Sequence, residues 1–301
     1  MARLADALQR ANRRRDDREG AADGPAAVEP TPLAVKSRAP ERVVPGPGST
    51  PLLDFSPGQS RLTAWRTDPE LVGKLVGTEH VSSGALEQYR KLAATLHHAQ
   101  TERGIQVVMT ASSLPGEGKS LTAANLALTL SESYHRRVLL IDADLRRPTV
   151  QRLFGLTTLN GLDEGLKAEH DRPMPIVQMS DRLFVLPAGR PDPDPLSGLT
   201  SERMKRLVQQ ARSAFDWVVI DTPPVTLLPD ANLLAACVDG VLLVVRAGKA
   251  PFQLVKRTVD TLGHDRILGV VMNAVDYAHD RNAGGYYEYY GYGYYGVSKG
   301  K

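Results

Sequence analysis

Short apolar runs rich in branched side chains recur at residues 105–110, 138–141, 183–186, 217–220, 241–245 and 267–272. Each run is apolar at odd and even positions alike, which predicts strands covered on both faces rather than half-solvated ones. Between most of them lie stretches of helical period, at 121–133, 201–215 and 252–262. Strands that alternate with helices predict a mostly parallel sheet with helices on both faces, folded over about residues 81–280.

Outside that span the pattern fades. Residues 1–19 place Leu4, Ala7, Leu8 and Ala11 on one helical face and Arg3, Arg10, Arg13, Arg14 and Arg15 elsewhere, which predicts a short basic amphipathic helix. Residues 20–80 are rich in Pro, Gly, Ala and Ser and poor in bulky apolar groups, so they are read as a disordered linker. Residues 281–301 form a tail holding Tyr286, Tyr287, Tyr289, Tyr290, Tyr292, Tyr294 and Tyr295, seven of the ten tyrosines in the chain. Glycines interrupt this cluster and no apolar run accompanies it, so it is not core. Phenols in a glycine-spaced segment are open to modification.

Composition narrows the class. A net charge of +3 over 301 residues is too weak to point to nucleic acid, and no nucleic-acid partner is expected. Cys237 is the one cysteine, so a disulfide framework is excluded and a reducing cytoplasm fits best. No apolar run approaches the ~18 residues of a membrane span, and the first residues are charged where a signal peptide has its apolar stretch.

The candidate chemistry begins after the first predicted strand, at Ala111-Ser112-Ser113-Leu114-Pro115-Gly116-Glu117-Gly118-Lys119-Ser120, which runs straight into a helix. A loop of this kind offers backbone N–H groups and a helix N-terminus to an anion; Lys119 reaches the outer phosphates and the Ser120 hydroxyl can ligate Mg²⁺. Ser113 stands where the G-x-x-x-x-G-K-[ST] spacing has its first glycine. Two further strands end in acids: Asp142 and Asp144 follow residues 138–141, and Asp221 follows 217–220. Ligands collect at the carboxyl ends of strands in open α/β sheets, so the three aspartates are expected to converge on the metal and phosphates held by Lys119 and Ser120. A single strand-end aspartate is often only a cap or turn former; three beside a phosphate loop are not easily so explained.

SSLPGEGKS, LLIDADLRRP, DWVVIDTPP and the terminal tyrosines together resemble the cytoplasmic kinase domain of the bacterial tyrosine kinase family, the autokinases that govern capsule and exopolysaccharide assembly. The resemblance covers about residue 81 to the C-terminus. It implies a P-loop NTPase fold, ATP and Mg²⁺ as ligands, and a Walker A loop in which Ser113, Pro115, Gly116, Glu117, Gly118, Lys119, Ser120 and Leu121 bind nucleotide. Asp142 and Asp144 then belong to Walker A′ and Asp221 to Walker B, with Ser120, Asp142 and Asp221 at the metal and Asn273 near the adenine. Lys119, Asp142 and Asp144 are the catalytic candidates, and either aspartate can accept the phenolic proton. The resemblance also implies a homo-oligomer in which one subunit's tail is its neighbour's substrate, and a separate membrane activator that holds the chain at the inner face of the cell membrane.

Two departures bear on this. The related MinD/ParA-like positioning ATPases carry a signature lysine five positions before Lys119, where this chain has Leu114; a positioning ATPase with a non-substrate aromatic tail is the alternative. The family's E-x-x-R-x-x-R assembly motif is present only as Glu87 and Arg90, with Ala93 in the last place.

Overall fold

The computed structural model describes residues 51–54, 74–78, 81–157, 160–170, 173–226 and 230–275. Its principal sheet has seven strands in the order β5 (Val177–Gln178), β6 (Leu183–Leu186), β3 (Val138–Asp142), β7 (Trp217–Asp221), β2 (Val107–Ser112), β8 (Gly240–Arg246), β9 (Ile267–Asn273). All pairings are parallel except β5 with β6. The expected architecture is therefore found, with helices on both faces. Each apolar run became a strand, although the first begins two residues later than its pattern predicts.

Alternation along the strands divides the core. Met109, Leu139, Ile141, Val218 and Ile220 face one side, where the helix Glu202–Ala214 packs. Val108, Leu140, Trp217 and Val219 face the other, against α1 (Ser83–Arg103) and α2 (Lys119–Glu132). Helix α1 starts from Ser82, whose hydroxyl accepts the Ala85 N–H, and stops at Gly104 in the left-handed region. Ala93 is fully buried on it, so the position where the family motif has its last arginine points into the core in this chain. Glu87 and Arg90 are half-exposed, 3.9 Å apart, a helix-surface pair worth about 0.2–0.5 kcal/mol.

Two pieces of the span read as a disordered linker are docked on the domain, which corrects that expectation for residues 51–54 and 74–78. Leu52 and Leu53 are buried on the face covered by the helix Glu202–Ala214, where β1 (Leu53–Asp54) pairs with β4 (Met174–Pro175) and the Leu52 N–H reaches Gln210 Oε1 at 2.7 Å. Leu75 and Val76 are buried on the opposite face. There Asn125 of α2 accepts the Val76 N–H and donates to the Lys74 carbonyl, both at 2.8 Å. Few apolar residues suffice because each anchor also satisfies its backbone groups through a side chain of the domain. The basic helix at 1–19 and the tail at 281–301 lie outside the described residues.

Asn125 is buried, so its removal leaves a buried N–H and a carbonyl without partners. Asn125→Ala should lower unfolding stability by about 1–3 kcal/mol in denaturant titration; an unchanged midpoint would show that the 74–78 anchor adds nothing to the fold.

Candidate active site

The strand order brings the site together. β7 lies between β3 and β2, and the register sets Asp142 beside Asp221 and Thr110 beside Asp221. Two carboxylates thus end neighbouring parallel strands, and the loop after β2 returns past them into α2. Residues 113–118 make that turn with Gly116 and Gly118 at φ +77° and +93°. A side chain at 118 has no room either, since a Cβ there would stand 1.9 Å from Asn273 Nδ2. Ser113 has no left-handed backbone to serve, which explains why glycine is not needed at that place. It is buried instead, its hydroxyl accepting from Thr258 Oγ1 at 2.9 Å and its carbonyl from the Thr226 hydroxyl.

Lys119 opens α2 and lies against the acids. Its Nζ is 3.0 Å from Asp144 Oδ2 and 3.6 Å from Asp221 Oδ1, and donates to Ser120 Oγ at 3.2 Å. Asp142 and Asp221 are fully buried and Asp144 nearly so. Burial alone would lower the Lys119 pKa, but Asp221 and Asp144 outweigh it and the net direction is up. Burial, and after it the Asp221 charge, pushes the Asp142 carboxyl up to about 8. Asp221 is raised as well, by burial first, with Lys119 and the Ser120 hydroxyl opposing. With three buried acids against one lysine, burial holds Asp142 protonated at neutral pH, and full ionisation of the cluster calls for another cation.

The residues fit a metal–nucleotide complex. Among the described residues Asp221 Oδ2 is buried without a hydrogen-bond partner, and the Ser120 hydroxyl lies within reach of the same cluster. Among them also, the N–H groups of Gly116, Gly118, Lys119 and Ser120 have no acceptor, as an anion-binding loop requires. Asp142 is differently engaged: Oδ1 accepts the Asp144 N–H at 3.2 Å, and Oδ2 accepts those of Thr149 and Val150 at 3.1 and 2.9 Å. It shapes the loop that carries Asp144.

Pro115 and Gly116 are exposed on the loop and Leu121 is half-buried behind it. Glu117 is buried, with both carboxylate oxygens turned to backbone N–H groups. Asn273, expected near the adenine, donates to the Glu117 carbonyl at 2.8 Å and so sits on the phosphate loop. Arg146 is tied to buried Asp230 at 2.8 Å and to the Pro193 carbonyl, while Arg147 is exposed. The tyrosines from 286 to 295 lie outside the described residues. Sequence reasoning missed Thr110, Thr258, Asp230 and Arg246, which reach the site from partner strands and helices and have no local signature.

Comparison with known proteins agrees with this geometry. The ParA family model, described as NUBPL iron-transfer P-loop NTPase, matches residues 104–295. The tyrosine-protein kinase YwqD of Bacillus subtilis is 37% identical over 190 residues, which are 62% of this chain and 80% of that protein. The chain belongs to the bacterial tyrosine-kinase family, on a ParA-type P-loop fold. The kinase domain of the Escherichia coli tyrosine kinase ETK aligns with a TM-score of 0.62 at 30% identity, covering 72% of this chain and 85% of that one. The succinoglycan biosynthesis transport protein ExoP of Rhizobium meliloti is 38% identical over 179 residues, 57% of this chain but only 22% of ExoP. Membership of the family entails binding a nucleotide with a divalent ion.

The raised Asp142 carboxyl sets a direction with pH. Its folded value of about 8 lies above the ordinary aspartate value of ≈ 3.9, so its contribution to stability is full below about pH 4 and is lost as pH rises through about 8. Without metal and nucleotide, the melting temperature should fall between about pH 5 and 8, and Asp142→Asn should flatten that fall by roughly 2–4 °C or more. Parallel slopes for the two chains in thermal melts with chelator would contradict the assignment.

Proposed function

We infer that this chain is an ATP-dependent protein-tyrosine autokinase that phosphorylates the terminal tyrosine cluster of a neighbouring copy. The observation that carries this reading is the buried group of Lys119, Asp144 and Asp221 at the mouth of a phosphate loop, in a chain that ends in seven clustered tyrosines. The family relationship and the name of YwqD support it.

In the reaction the phenolic oxygen of a tyrosine attacks the γ-phosphorus of ATP. The bond from that phosphorus to the β,γ-bridging oxygen breaks, ADP departs with its electron pair, and the phenolic proton passes to a carboxylate. A phenol has a pKa of about 10, so it needs that acceptor or a loose transition state. Lys119 and the loop N–H groups hold the β- and γ-phosphates. Ser120 and Asp221 would hold the metal, with Asp142 behind them, and a bound Mg²⁺ would supply charge neutralisation. Of the two candidate acceptors the geometry favours Asp144, which lies against Lys119, over Asp142, whose oxygens already accept three backbone N–H groups.

About ten residues separate Asp280 from the middle of the cluster, a flexible-chain distance of roughly 17–19 Å and at most ~35 Å extended, enough to enter an adjacent subunit. Each phosphate adds about −1.5 to −2 charges, so a modified tail loosens the assembly by repulsion. The name of ExoP supports a place in exopolysaccharide or capsule synthesis and export. No described helix is long and apolar enough to cross a membrane. By the family resemblance, a separate membrane protein is the expected activator and anchor. The alternative, a positioning ATPase, predicts hydrolysis with no phosphotyrosine.

Incubation of the purified chain with ATP and Mg²⁺ should place phosphate on Tyr286–Tyr295 by mass spectrometry, and Lys119→Ala should slow this about 10²-fold or more. A Lys119→Ala chain that keeps its tyrosines should be labelled when mixed with an active chain that lacks them. No label on the former would refute transfer between subunits; hydrolysis with a bare tail would favour the positioning ATPase.

A further inference from the structure

Glu117 is an acid in the middle of a loop that has to receive phosphates. A carboxylate turned toward such an anion would repel it. Its oxygens point elsewhere: Oε2 accepts the Leu114 N–H at 2.7 Å, closing the turn on itself, and Oε1 accepts the N–H of Arg246, the last residue of β8, at 3.3 Å. The side chain is 3% exposed. Its carbonyl accepts Nδ2 of Asn273, the last residue of β9, at 2.8 Å, and the Gly116 carbonyl accepts Arg246 Nη1 at 3.3 Å. Asn273 also fills the place of a side chain at Gly118, while its Oδ1 accepts the N–H of Ala274 at 2.8 Å. Ala274 has φ +52°, an unfavourable backbone for alanine, and from it the chain leaves β9 for the tyrosine tail.

These contacts share one logic. Glycines on either side of Glu117 leave the loop free to take other shapes, at an entropic cost whenever it is ordered around a ligand. Glu117 and Asn273 remove that freedom beforehand. They engage the N–H of Leu114 and the carbonyl of Glu117, and leave the N–H groups of Gly116, Gly118, Lys119 and Ser120 for the anion.

We propose that Glu117 and Asn273 are positioning residues that preform the phosphate loop by tying it to the ends of β8 and β9, and that Asn273 thereby joins the loop to the root of the tail. The proposal rests on the nucleotide-binding reading of the loop and assigns Asn273 to the phosphates' framework rather than to the base. Binding energy otherwise consumed in ordering the loop then appears as affinity.

Equilibrium binding to the full chain, with Mg·ATP, Mg·GTP and Mg·tripolyphosphate as probes, tests this without reference to kinase activity. Asn273→Ala should weaken all three about tenfold, with the ATP-to-GTP ratio unchanged, the size expected for one or two lost hydrogen bonds. Glu117→Ala should weaken all three to a similar degree. Glu117→Gln keeps one acceptor and sets an NH₂ against the other N–H, so it should fall between. Loss of ATP binding in Asn273→Ala with tripolyphosphate affinity intact would overturn the proposal in favour of a base contact. Equal losses of kcat in Glu117→Ala and Glu117→Gln with unchanged affinity would overturn it in favour of a role in the transfer itself. Parental affinity in both alanine variants would show that the loop holds its own shape. Asn273→Ser, which keeps a donor, guards against a folding artefact and should recover part of the affinity. Nucleotide binding by the parent with a bare tail would sink the kinase reading and leave this comparison intact.

Discussion

The structure depends on a charge imbalance that the sheet buries at its own centre. Asp142 and Asp221 end adjacent parallel strands in register, Asp144 follows two residues later, and one lysine faces them. Taking carboxylates out of water costs several kcal/mol each unless cations and hydrogen bonds compensate. Lys119, the Ser120 and Thr110 hydroxyls and four backbone N–H groups compensate in part. The remainder is a standing demand for positive charge beside a loop with unused N–H groups. One site therefore invites a cation and an anion side by side, and a nucleotide that carries its own metal meets both demands at once.

What could be read in the sequence follows from the range of each force. Strands β2, β3, β6, β7, β8 and β9 were legible because burial on both faces needs continuous apolar runs, and the acids were legible because they stand where such runs stop. Helix α1 shows little apolar periodicity, burying only Ala93 and Leu96, and entered the reading only through Glu87 and Arg90. The anchors at 51–54 and 74–78 were illegible, since their order comes from Gln210 and Asn125 rather than from propensity. The ion pair of Arg146 was illegible for the same reason: its partner, Asp230, is 84 positions away. Ser113 looked like a defect in the loop motif, and the structure shows a buried hydroxyl held by Thr258 at a backbone position with no need of glycine.

The anchors also bear on the loop. Asn125 lies on α2, the helix whose first residues are Lys119 and Ser120, and it holds residues 74–76 on one face while residues 52–53 are fixed on the other. The chain before α1 thus engages both layers that sandwich the sheet. Any force on the preceding polypeptide reaches the nucleotide helix through two hydrogen bonds and the burial of Leu75 and Val76, a mechanically short path.

Under the kinase reading, the same acidic surplus governs release. A phenol is neutral when it enters, whereas its phosphate ester carries about −1.5 to −2 charges on leaving. Beside Asp142, Asp144 and Asp221, with the metal's charge already shared by ADP, that product is repelled by the groups that helped to form it. In an assembly of copies the neighbour's tail is held beside the site, so its local concentration stays high after each release. A tethered substrate with many equivalent acceptors and a site that rejects its charged product favour successive modification of different tyrosines. Seven clustered phenols suit that regime better than one fixed acceptor would.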